Sequence, residues 1–122
     1  MNMKIESYKN LIVWQKSMGL VVAIYELTEK FPIEEKYGLA MQMRRSAVSI
    51  PSNIAEGSRR GSRKDFRHFA LIALGSGAEL ETQIQIAKRL PLGKKLEYGS
   101  IDNLLDEVMR MLNKLISGLG DN

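Results

Sequence analysis

Phe66, Ala70, Ala73, Gly77, Leu80, Ile84 and Ala87 recur at alternating steps of four and three. That spacing places all seven on one side of an α-helix. A strand, whose side chains alternate at a period of two, cannot align them. A helix carrying such a stripe must bury it against other elements, so this segment dictates a helical partner. The middle of the stripe is small (Ala70, Ala73, Gly77), which lets two helix backbones come close. Gly75 and Gly77 each cost about 1 kcal/mol of helix propensity relative to Ala. Tight helix packing is the expected compensation at both. Ser62-Arg63-Lys64-Asp65 reads as a capping box with Asp in place of Glu, and the helix is expected to end near Leu90, before Pro91 and Gly93.

Three more amphipathic segments supply partners. The first runs from about residue 10 to 30, with Leu11, Trp14, Met18, Val21 and Tyr25 as its stripe and Val13, Leu20, Ile24 and Leu27 widening it. Phe31-Pro32 ends it, because the residue before proline is pushed out of the α region. The second runs from about residue 34 or 37 to 58, on Leu39, Met43, Ala47, Ile50, Ile54 and Gly57. Pro51 lies inside it. The stripe stays in phase past the proline, so a kink or bulge is expected rather than two helices. The fourth is expected to start at Ser100 as N-cap, to run on Ile101, Leu104, Leu105, Val108, Met111, Leu112, Leu115, Ile116 and Leu119, and to stop at Gly118 and Gly120. Four such helices, short loops and no strand pattern predict an all-α, antiparallel up-down-up-down four-helix bundle. Residues 1–122 form one domain in this reading, with short flexible termini.

Catalytic chemistry finds little to work with. There is no cysteine, hence no disulfide, thiolate ligand or cysteine nucleophile. One histidine, His68, does not make a zinc site that needs three or four ligands. The Glu-x-x-His pattern of bundle di-iron sites is absent, and no glycine loop fits a nucleotide fingerprint. The expectation is no enzyme, no cofactor and no metal. No apolar run reaches the roughly 18 residues of a membrane span. Residues 1–6 show no apolar signal segment, so the expected compartment is the cytoplasm.

The formal net charge is +4, and its placement is uneven. Residues 37–75 hold seven basic and two acidic side chains, a local excess of +5. Arg59, Arg60, Arg63, Lys64 and Arg67 concentrate it, opposed only by Asp65. They are the candidate nucleic-acid-binding residues, and they also read as ordinary solvated surface. A second constellation is polar. Gln42, Arg45, Ser49, Ser52 and Glu56 recur at helical spacing, as do Ser76, Glu79 and Gln83. With Asn53 they are candidates for a structural network in which Arg45 meets Glu79 or Glu56. The alternative is that both stripes face water.

Specific motifs cover much of the chain. They are Phe31-Pro32-x-x-Glu35-x-Tyr37-Gly38-Leu39, then Gln42-x-Arg44-Arg45-Ser46-Ala47-x-Ser49-Ile50-Pro51-x-Asn53-Ile54-Ala55-Glu56-Gly57. Upstream stands Leu11-x-Val13-Trp14-Gln15-Lys16, and downstream Phe69-x-x-x-Ala73-x-Gly75-Ser76-x-x-Glu79-x-Glu81-x-Gln83. Together they resemble the bacterial 23S ribosomal RNA intervening-sequence protein family, also called four-helix bundle proteins. The resemblance implies a left-handed bundle that assembles as a homopentamer, with no catalytic residue assigned and no established molecular role. The functional expectation is a noncatalytic homo-oligomer that binds RNA or another nucleic acid through its basic surface. The alternative is a protein-interaction scaffold with no nucleic-acid binding, resting on the surplus apolar stripe, to which the first helix is the candidate contributor, and on the polar stripe of the second helix.

Overall fold

The helices begin and end where local chemistry or a tertiary demand stops them. A computed structural model describes residues 7–120 and places four α-helices: α1 (Ile12–Thr28), α2 (Leu39–Arg59), α3 (Arg63–Arg89) and α4 (Gly99–Gly118). Short 3-10 turns at Tyr8–Asn10 and Ile33–Glu35 precede α1 and α2, and no strand occurs among the described residues. The expectation of flexible termini falls on residues 1–6 and 121–122, outside the described residues. No helix among those described is long and apolar enough to cross a membrane.

Ser62 caps α3 as its sequence box predicts, its hydroxyl accepting the Asp65 N–H at 3.1 Å. Gly61 stands just before it at φ +87°, the left-handed region that favours glycine. α2 takes its cap from further back, where Glu35 Oε1 accepts the Leu39 N–H at 3.2 Å. The helix then runs through Pro51 without interruption to Arg59. α4 departs from expectation. It starts at Gly99 with Tyr98, not Ser100, in the capping position. Tyr98 is buried, and its hydroxyl donates to the Gly93 carbonyl at 2.9 Å. Burying that ring fixes where the helix begins, and the hydroxyl of Ser100 is not needed.

Each helix packs on its neighbours in the chain, and α4 also packs on α1. All seven residues of the α3 stripe are buried. On α1 the expected stripe is rotated, with Leu11, Trp14 and Val21 only partly buried against the core. Val13, Leu20, Ile24 and Leu27 face the core, whereas Met18 and Tyr25 of the nominal stripe are 40% and 43% exposed. The α2–α3 pairing is the most extensive, and one glycine explains how close it is. A Cβ on Gly57 would lie 2.7 Å from Phe69 Cβ and 3.3 Å from the Phe66 carbonyl. The expectation for Gly75 and Gly77 divides. Gly77 abuts the Met109 side chain of α4, but a Cβ on Gly75 would meet nothing within 4 Å. Among the described residues, no packing at that position offsets its helix-propensity cost.

Candidate polyanion-binding surface

The basic cluster gathers at the corner where α2 turns into α3. Arg59 closes α2, Arg60 follows it, and Arg63, Lys64 and Arg67 lie in the first two turns of α3. The fold uses two of the five. Arg63 donates to the Gly118 carbonyl at 2.6 Å, a cation set against the C-terminus of α4 where helix dipoles favour positive charge. Arg60 pairs with Glu56 at 2.7 Å, one turn back, and its guanidinium lies 4.8 Å from the centre of the Phe69 ring. The pair is half exposed on both sides, so it adds only about 0.3–0.5 kcal/mol. Arg59 and Lys64 are exposed and enter no ion pair or side-chain hydrogen bond among the described residues. Arg67 is half-buried, and its Nε is buried with no partner among the described residues.

Lys64 sits at the wrong end of its helix for self-stabilisation. The first turn of α3 carries partial positive charge, where cations are disfavoured and anions favoured by about 0.3–1 kcal/mol each. Asp65 is the one acidic residue in that turn. Two exposed cations and a half-buried one therefore project positive charge from a surface that is already positive. His68, in the next turn, packs edge-on to Phe69 at 5.4 Å between ring centres.

The second constellation forms a polar seam between α2 and α3, with partners shifted by one residue from those expected. Ser46, not Arg45, donates to Glu79 Oε1 at 2.9 Å. Ser49 and Ser76 share a hydrogen bond at 2.7 Å. Asn53 donates back to the Ser49 carbonyl at 2.8 Å and its hydroxyl at 2.9 Å. Gln83 is buried and leaves Oε1 unpartnered among the described residues. Gln42 and Arg45 are exposed, and Glu56 turns to Arg60.

The arginine that the fold does employ on α2 is Arg44, which the spacing argument passes over. Its Nε donates to Thr28 Oγ1 at 2.8 Å, a second nitrogen reaches the Tyr25 carbonyl at 3.3 Å, and the guanidinium stacks 4.4 Å from the Tyr25 ring centre. Beside it a groove of about 490 Å³ opens on the outer side of α2, lined by Tyr25, Lys36, Tyr37, Met41, Arg44, Arg45, Val48 and Ser49. The adjacent arginines Arg44 and Arg45 were the available signal, since positions about 100° apart on a helix meet different neighbours, and here Arg44 turns to Tyr25 and Thr28. Among the described residues no group of three or more His, Cys, Asp or Glu is gathered to hold a metal ion.

Among the described residues, four packed helices without a strand, a polar seam between α2 and α3 and cations gathered at the surface define an all-α helical protein. The chain belongs to the 23S rRNA-intervening sequence protein family, whose pattern it matches over residues 9–114. It is also similar to a crystal structure of a protein with unknown function from the S23 ribosomal protein family of Bacteroides thetaiotaomicron. That likeness has 29% identity and a TM-score of 0.74, covering 85% of this chain and 97% of that chain. No curated protein matches it.

Proposed function

We propose that this protein is a noncatalytic, homo-oligomeric four-helix bundle that binds RNA through the α2–α3 corner. The observation that carries the reading is the placement of Lys64, with Arg67 one turn on. A cation in the first turn of α3 opposes the helix dipole, and a phosphate backbone supplies the missing negative charge. Arg59, exposed at the end of α2, extends the same surface.

The framework is one domain of antiparallel up-down-up-down helices. Three steps forward from Ser46 to Ser49 on α2 correspond to three steps back from Glu79 to Ser76 on α3. The start of α3 reaches the end of α4 through Arg63 and Gly118, and the end of α3 reaches the start of α4 through Lys88 and Asp102. The resemblance to the family supports a left-handed turn and a fivefold assembly. Assembly is supported by the solvent face of α3, where exposed Leu71, Ile72 and Ile86 flank the uncompensated Gly75. A cytoplasmic location accords with an RNA partner.

An electrophoretic mobility shift with RNA at low salt tests the reading. The wild type should retard RNA, and Arg59→Ala with Lys64→Ala should weaken retention about tenfold or more. Absence of a shift, or a shift untouched by both substitutions, defeats it. That result, with a defined protein partner recovered in its place, would favour the scaffold reading, for which the exposed apolar Ile12, Met18 and Val22 of α1 speak.

A further inference from the structure

The groove on the outer side of α2 has a chemistry that the corner lacks. Three cations line it (Lys36, Arg44 and Arg45), and no carboxylate does. Two aromatic rings stand beside them. Tyr37 is 78% exposed, far more than packing would leave a ring that serves only the fold. Tyr25 is braced by Arg44, which Thr28 and the Tyr25 carbonyl hold in place, so the groove wall is set before any ligand arrives. Lys36 lies 5.7 Å from the centre of the Tyr37 ring. Arg45 is exposed and enters no ion pair or side-chain hydrogen bond among the described residues. The volume, about 490 Å³, suits a small ring system.

We propose that this groove takes one base of a single-stranded RNA, stacked on Tyr37, with its phosphate held by Lys36 and Arg45. Aromatic rings interleaved with cations and free of carboxylates are what a single strand requires, because every base presents a π-face and every linkage a negative charge. A duplex keeps its bases stacked on each other and offers the groove only phosphates. The inference rests on the RNA reading of the corner and adds strand selectivity to it. The two sites are continuous. Arg45, Ser52 and Arg59 stand seven residues apart along α2, on one side of the helix. Arg45 and Arg59 are thus separated by about 21 Å. A strand resting on the corner reaches the groove without leaving the helix.

Fluorescence anisotropy with a labelled oligoadenylate of about 12 nucleotides, within ordinary site sizes, and with an RNA duplex of equal length tests this. Tyr37→Ala should lower affinity for the single strand by about 5- to 150-fold, the range for one stacked base, and leave the duplex unchanged. Tyr37→Phe should retain wild-type affinity, because the ring and not the hydroxyl is used. Arg59→Ala with Lys64→Ala should weaken both RNAs. Single-strand binding that is lost in that double variant but untouched by Tyr37→Ala overturns the groove assignment alone. Equal loss of both RNAs in Tyr37→Ala overturns it too. Failure of wild-type protein to bind either RNA at low salt overturns the corner and the groove together.

Discussion

The corner and the groove both collect cations, but the fold divides them differently. At the corner, five cations reduce to three once Arg60 is drawn to Glu56 and Phe69 and Arg63 to the end of α4. In the groove, Arg44 is absorbed by Tyr25 and Thr28, Lys36 lies over the exposed Tyr37 ring, and Arg45 stays open. Counting charges along the chain therefore overstates the corner and overlooks the groove. What a partner meets is the set of cations that tertiary structure leaves unspent, together with the neighbours it gives them.

The comparison breaks first if its scaffold is disturbed. Gly57→Ala should be the largest effect, because the new methyl meets Phe69 Cβ and the Phe66 carbonyl, which cannot swing aside as a side-chain end can. We expect a loss of about 2–3 kcal/mol in denaturant unfolding, with corner function lost alongside. Gly77→Ala meets only the flexible end of Met109 and should cost less. Equal effects would mean that the α2–α3 approach is looser than its geometry.

Arg63→Ala sharpens the division of labour. It removes the contact to Gly118 and should lower stability by about 1 kcal/mol, read by thermal melting. RNA affinity should change less than in the Arg59→Ala, Lys64→Ala double variant. The opposite ranking would place Arg63 among the phosphate-binding cations and not the structural ones.

A further effect lies at the start of α4. Burial, and then the charge of Asp102, raises the Tyr98 hydroxyl above its ordinary value. The folded state thus holds that proton more tightly than the unfolded chain. The resulting stability is complete below about pH 10, the unfolded tyrosine value, and is lost as pH rises through the folded one. Tyr98→Phe should remove this alkaline loss, seen as the difference between the two unfolding curves above pH 10. Near neutrality it should cost about 1 kcal/mol for the missing hydrogen bond to Gly93.

The helices were legible because their signals are local and periodic. The α3 stripe needs only steps of four and three, and the Ser62 cap only a neighbour three residues on. Ser100 misled because the buried ring of Tyr98, a tertiary demand, sets the start of α4. Gly75 could have been separated from Gly77, since only the latter falls in the phase of the buried stripe. The polar stripes of α2 and α3 were visible, yet which member faces across depends on helix rotation. That rotation brings Ser46 and not Arg45 to Glu79. The groove was out of reach. Lys36 and Tyr37 join Tyr25 only through the turn at Ile33–Glu35, and no spacing rule spans that connection.

The most direct test of the cationic surface is the salt dependence of single-stranded RNA affinity, compared between wild type, Arg59→Ala with Lys64→Ala, and Tyr37→Ala. Each phosphate contact adds about 0.7 to the negative slope of log affinity against log salt. The double variant should therefore flatten that slope by about 1.4, two contacts' worth, whereas Tyr37→Ala should weaken binding with the slope unchanged. Slopes identical in the wild type and the double variant would contradict a phosphate-binding corner.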